Sequence, residues 1–185
     1  SYVYVGEMTL HCQGSSRTTL TAGLVGYSCH TGTDLVLERV DIQEPLGPSG
    51  GGSSAAIGWS DVVRARARAV RILSLGSYTR PTDGMYVRGN VIQILDSIAE
   101  GCSDTGFVLE AVRDGMIADS ETTGCAVGYA VSAYTGANGA ACRLNNLVLS
   151  GWSAPNNGGI QIAALGACSL NDVEIDGLMA TQLSG

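Results

Sequence analysis

The chain has 185 residues, enough for one sizeable hydrophobic core, and this length favours a single domain. With 45% hydrophobic and only 15% charged residues, the composition excludes an intrinsically disordered chain. The ten basic residues, all arginine, are outnumbered by 17 acidic residues, and the net charge of −7 argues against nucleic acid as a partner. No apolar run reaches the roughly 18 residues of a membrane span, so we expect no membrane insertion.

The predicted elements, taken in chain order, are short strands at nearly regular intervals. One set follows a glycine, and its spacings of 32, 26, 22, 22 and 31 residues separate Gly26, Gly58, Gly84, Gly106, Gly128 and Gly159. A second set alternates apolar and polar residues around Val40, Leu73, Ile94, Met116, Leu147 and Val173. Each segment is followed by Gly, Ser, Asp or Asn, as is typical of strands that end in turns.

The clearest internal repeat lies near the C-terminus. Residues 142–151 match residues 168–177 at an offset of 26, with leucine, asparagine, two aliphatics and glycine in register. This offset predicts that equivalent side chains stack on one another, including an amide ladder from the asparagines. The predicted stacked pairs are Leu144/Leu170, Asn145/Asn171, Leu147/Val173 and Leu149/Ile175.

Repeats of this length are typical of solenoids, in which each turn of the chain buries its apolar face only against its neighbours. We therefore predict an all-β fold, a right-handed parallel β-helix (β-solenoid) of about seven rungs. The whole chain, 1–185, is expected to form this single domain. Because the stack carries no recognisable caps, we expect it to be a fragment of a longer chain.

The six cysteines favour buried thiols over metal ligands or disulfides. None lies in a CxxC pair, and several follow the repeat spacing, which suits small buried apolar side chains. Reduced thiols indicate folding in a reducing cytoplasm. The two histidines, His11 and His30, add no metal-ligand pattern, so we predict neither a metal nor a cofactor.

At these repeat columns, over roughly residues 20 to 180, the chain resembles the right-handed parallel β-helix proteins. That group includes pectate lyases, polygalacturonases, alginate epimerases and bacteriophage tailspike depolymerases. The catalytic motifs of the first three are absent, so the chain is most similar to the tailspikes, which share no motif. The resemblance implies a homotrimer in the virion tail, folded in the host cytoplasm, with bacterial surface polysaccharide as partner; the alternative location is extracellular.

Glycoside cleavage usually requires two carboxyl groups. Asp96 and Asp119 end equivalent predicted strands, which makes them the first candidate catalytic pair. The alternative is that both are turn-forming residues. Glu110 and Asp114 lie in one predicted coil as further catalytic candidates, and Arg113 between them is a candidate ligand for an acidic sugar.

Aromatic side chains offer platforms for sugar rings. Trp152, next to a loop, and Tyr134 are the candidate substrate-binding aromatics. For the aromatics near the second column we favour an inward stack, comprising Tyr27, Trp59, Phe107 and Tyr129. The arginines that alternate with alanine, Arg64, Arg66 and Arg68, together with Arg71, are interpreted as the solvent face of a strand, with anion binding as the alternative.

Three functions follow from these observations. The first is a tailspike-like protein that binds bacterial surface polysaccharide and acts on it as a depolymerase, either a glycoside hydrolase or a lyase. The second is a non-catalytic structural stalk or receptor-binding module of a viral spike or adhesin. The third, an ordinary secreted pectate-lyase-like enzyme, is weakened by the missing motifs and the expected thiols.

Overall fold

The computed structural model describes residues 3–11, 27–43, 55–73, 83–133, 139–150, 159–164 and 167–181. These residues form an all-β structure, as predicted, and among them no helix is long and apolar enough to cross a membrane. The strands are β1 (Val3–His11), β2 (Tyr27–His30), β3 (Thr33–Gln43), β4 (Ala55–Arg68), β5 (Arg71–Leu73), β6 (Asp83–Leu95), β7 (Ile98–Glu100), β8 (Thr105–Glu110), β9 (Arg113–Ala118), β10 (Glu121–Thr123), β11 (Val127–Ala133), β12 (Gly139–Ser150), β13 (Ile160–Ala164), β14 (Leu170–Asn171) and β15 (Glu174–Thr181).

The described strands pair in parallel, and eight of them close into a barrel. The hydrogen-bonded neighbours run β6–β9–β12–β10–β7–β5–β3–β4, and β4 pairs again with β6. The further described strands, β1, β2, β8, β11, β13, β14 and β15, attach to this barrel. The predicted β-helix of about seven rungs is therefore wrong, because the path of paired strands closes on itself.

Bends within long strands account for this closure. In β3 the buried positions alternate up to Leu37, and after the bend at Arg39 (φ 51°) the alternation restarts at Val40. Residues 35–38 pair with β4, whereas residue 41 onward pairs with β5. One strand thus has two successive neighbours on the same side. Regular spacing in the sequence does not reveal such bends, because it reports where apolar segments recur and not how they are joined.

The bends align from strand to strand in two columns of left-handed residues. The first corner column, with φ between 49° and 64°, comprises Glu7, Arg39, Ala69, Asp96, Asp119, Asn146 and Gly177. The second corner column, with φ between 52° and 59°, comprises Asp34, Arg64, Val91, Asp114, Ala141 and Asp172. Asp and Asn tolerate this conformation best among non-glycine residues, which explains much of the composition of both columns.

The core contains part of the predicted aromatic stack. Phe107 and Tyr129 are fully buried, with ring centroids 5.9 Å apart and an interplanar angle of 17°. Such a pair contributes about 0.5–1.5 kcal/mol beyond its area burial. Trp59 is also fully buried but belongs to a different column, since it pairs with Cys29 and Val87. The inward position was predicted correctly, and the shared column was wrong for Trp59.

The C-terminal register differs from the predicted offset of 26. Leu144 pairs with Ile175, 31 residues later, while Leu170 pairs with Gly139. The difference arises because β14 ends before the left-handed Asp172, and β15 restarts beyond it. The predicted contacts are therefore wrong for Leu144/Leu170, Asn145/Asn171, Leu147/Val173 and Leu149/Ile175.

The described cysteines are not in disulfides, and Cys12 lies outside the described residues. Cys125 donates to the Ala99 carbonyl at 3.6 Å, and Cys142 lies 3.7 Å from the Val112 carbonyl oxygen. Burial raises the pKa of the Cys142 thiol, which keeps it protonated. These buried thiols act as small apolar side chains, in line with the sequence interpretation.

Candidate functional site

A group of carboxyl side chains lies where β6 and β8 run side by side. The two strands pair through Met85–Phe107 and Val87–Leu109, whose side chains are buried in the core. The residues between them therefore project to the opposite face. We define the carboxylate face as Asp83, Tyr86, Arg88, Asp104 and Glu110.

Asp83 is the most perturbed carboxyl group of this face. It is partly buried, and its Oδ1 accepts a hydrogen bond from the Thr105 N–H at 3.3 Å. Burial, followed by repulsion from Asp104 and then Glu110, raises the pKa of Asp83 to about 7, against the opposing effect of the Thr105 bond. Asp83 is consequently about half protonated at neutral pH.

Glu110 is held by two donors on the neighbouring strand. Arg88 Nε lies 3.7 Å from its Oε1, and the Glu110 side chain is only 14% exposed. The Tyr86 hydroxyl also donates to Glu110; burial and this bond raise the pKa of Tyr86 above its ordinary range. Both contacts favour the ionised carboxylate, because a guanidinium and a phenol O–H can only donate here.

The face therefore combines a carboxyl group that retains a proton with a carboxylate that is held by donors. Tyr86 lies between them, bonded to Glu110 and electrostatically coupled to Asp83. Two carboxyl groups whose surroundings separate their protonation states are the arrangement that acid–base hydrolysis of a glycoside requires. Among the described residues, no group of three or more His, Cys, Asp or Glu side chains is arranged to hold a metal ion.

The first candidate pair from the sequence, Asp96 and Asp119, lies in the first corner column, with φ 50° and 51°. Asp96 accepts from Arg68 Nε at 3.0 Å, and Asp119 accepts from the Asn146 amide at 3.1 Å. Their own N–H groups bond to carbonyl oxygens of the next strand. These contacts favour the turn-forming alternative. Asp96 follows the far end of β6, 13 residues beyond Asp83.

The remaining sequence candidates are not brought together. Asp114 is an exposed member of the second corner column, and Arg113 beside it is exposed, with its backbone next to β6. Of the four candidate catalytic residues, Glu110 is the one that joins the carboxylate face. The candidate platforms Trp152 and Tyr134 lie outside the described residues.

Sequence reasoning missed Asp83 and Asp104, although a signal was present. Each acidic residue lies one or two positions before a glycine of the repeated column, Gly84 and Gly106. Equivalent positions on paired strands place their side chains near each other. An acidic residue recurring just before the column glycine would have identified both.

The chain matches no protein-family model, no curated protein and no solved structure. Its function must therefore be argued from its own residues.

Proposed function

We propose that the protein binds a polysaccharide across the carboxylate face and hydrolyses a glycosidic bond there. Asp83 donates its proton to the oxygen of the leaving sugar as that bond breaks. Glu110 supplies the second carboxylate, either attacking the anomeric carbon or accepting a proton from the attacking water. Tyr86 and Arg88 orient Glu110. Bacterial surface polysaccharide is the first substrate class to test.

The observation that carries this proposal is the pKa of about 7 at Asp83 beside a donor-bound Glu110. A general acid is most effective when its pKa lies near the working pH, because it is then protonated and still able to release the proton. An exposed aspartate, with a pKa near 4, would be ionised under the same conditions.

The test is the release of reducing ends from a panel of bacterial polysaccharides. Asp83→Asn and Glu110→Gln keep the side-chain shape, and each should reduce the rate at least about 100-fold while retaining binding. Asp61→Asn is the matched control, because Asp61 is an exposed aspartate at a left-handed position outside this face. Cleavage that survives both substitutions would refute the proposal.

A second candidate function, a non-catalytic binding or stalk module, is favoured by the ionic contacts between strands. Cross-strand ion pairs join Arg39 to Glu7, Arg64 to Asp34 and Arg68 to Asp96. Such repeated surface pairs fix strand register without any chemistry. A wild-type chain that binds polysaccharide and releases no reducing ends would establish this function instead.

A further inference from the structure

A surface depression of about 420 Å³ lies on the outer side of β3, β4 and β6, separate from the carboxylate face. Its floor is formed by three side chains in register across the strands, Val36, Arg66 and Gln93. Val91 and the ion pair between Arg64 and Asp34 complete its walls. The depression thus combines apolar surface with a cation and an amide.

Arg66 differs from the arginines on either side of it. Arg64 forms a two-pronged contact with Asp34, at 2.6 and 2.9 Å, and Arg68 bonds Asp96 at 3.0 Å. Arg66 is exposed, and no carboxylate of the described residues lies within ion-pair distance of it. Its charge is therefore available in a chain whose net charge is −7.

Val91 is an unusual residue for its place. It has φ 57° and its side chain is 41% exposed, although a β-branched residue is a steric outlier in the left-handed region. Aspartate, which tolerates that region, occupies the equivalent place at Asp34, Asp114 and Asp172. Strain of this kind is retained where the side chain has a use, and here Val91 lies against the depression that contains Arg66.

We propose that this depression is a subsite for an acidic sugar residue. The apolar face of the ring packs on Val36 and Val91, the carboxylate of the sugar binds the Arg66 guanidinium, and Gln93 bonds a hydroxyl. This inference rests on the proposed function and specifies its substrate class as an anionic polysaccharide. A sulfate ester would present the same charge chemistry, and it forms a separate arm of the test.

The binding test titrates the ¹⁵N-labelled full chain with sodium glucuronate, with glucose 6-sulfate and with glucose, following amide and guanidinium resonances. Glucuronate should shift resonances of Arg66 and its neighbours, and glucose should not. Arg66→Gln should weaken glucuronate binding about 10- to 100-fold, the loss expected for a charge-assisted contact. Arg143→Gln is the matched control, because Arg143 lies further along the same outward column as Gln93 and Met116.

Val91→Asn separates binding from stability. Relief of the left-handed strain should raise the melting temperature, while loss of the apolar contact should weaken glucuronate binding several-fold. Ala141→Asn relieves the same conformation in the same corner column, away from the depression, and should leave binding unchanged. Preferential shifts with the sulfate would reassign the subsite to sulfated sugars and overturn the carboxylate assignment.

The subsite is overturned if glucuronate binds no better than glucose, or if both Arg66→Gln and Val91→Asn bind it as the wild type does. Failure of the proposed function gives a different result. Glucuronate would then still bind at Arg66, whereas Asp83→Asn would leave polysaccharide cleavage unaffected or the wild type would cleave nothing.

Discussion

Replacing Asp83 with asparagine should change how stability depends on pH. The pKa of this carboxyl is raised from its ordinary value of 3.8 to about 7, chiefly by burial and then by Asp104. Between these two values the folded chain holds a proton that the unfolded chain has released. The free energy of unfolding therefore falls as pH rises through this window. The contribution is fully present below about pH 4 and lost above about pH 7.

The expected magnitude follows from the two pKa values. They differ by about 3 units, and at about 1.4 kcal/mol per unit the wild type should lose on the order of 4 kcal/mol across the window. Asparagine has nearly the same shape and does not titrate. Relative to the wild type, Asp83→Asn should therefore gain stability progressively from pH 4 to pH 8, by roughly this amount.

The assay is urea unfolding of both proteins at closely spaced pH values, with the difference in unfolding free energy plotted against pH. Asp104→Asn removes the second cause of the shift and should make the wild-type slope shallower. Asp61→Asn, outside the carboxylate face, should leave the slope unchanged. A difference curve between wild type and Asp83→Asn that is flat to within about 1 kcal/mol would refute the account of Asp83.

Further predictions concern the fold and the corner residues. Gly89→Ala should cost more than about 2 kcal/mol, because a Cβ would overlap a carbonyl oxygen of β4, whereas Gly58→Ala, with open space around its Cβ, should cost less than about 1 kcal/mol in urea unfolding. Tyr129→Phe should cost about 1–3 kcal/mol in the same assay, because its buried hydroxyl lies 2.7 and 2.8 Å from two carbonyl oxygens. Asp119→Asn should leave both stability and polysaccharide cleavage nearly unchanged, since asparagine tolerates φ 51°; loss of cleavage without loss of stability would return the catalytic role to Asp119.

The strands could be predicted from the sequence because alternation reports burial directly. Val87 and Leu109 follow the column glycines at the same distance, and both are fully buried next to each other. The barrel could not be predicted, because its closure depends on bends at left-handed residues. Several of these are ordinary residues such as Ala69 and Val91, whose identity gives no sign of positive φ.

The candidate site was predictable only in part, for an electrostatic reason. Glu110 was named from its sequence neighbourhood, yet its donors Tyr86 and Arg88 lie more than twenty residues earlier. The raised pKa of Asp83 depends on its burial and on the charge of Asp104, a residue of another segment. Neither effect is visible before the strand register is known. Conversely, the equivalent positions of Asp96 and Asp119 suggested catalysis, where the contacts indicate corners.

The most direct test of the central claim is the pH dependence of polysaccharide cleavage by the wild type and by Asp104→Asn. If Asp83 is the proton donor, kcat/KM of the wild type should fall above about pH 7, as that proton is lost. Removing the Asp104 charge should move this alkaline limb to lower pH, because it lowers the pKa of Asp83 without touching its carboxyl. An alkaline limb that stays in place in Asp104→Asn, or that persists in Asp83→Asn, would contradict the assignment.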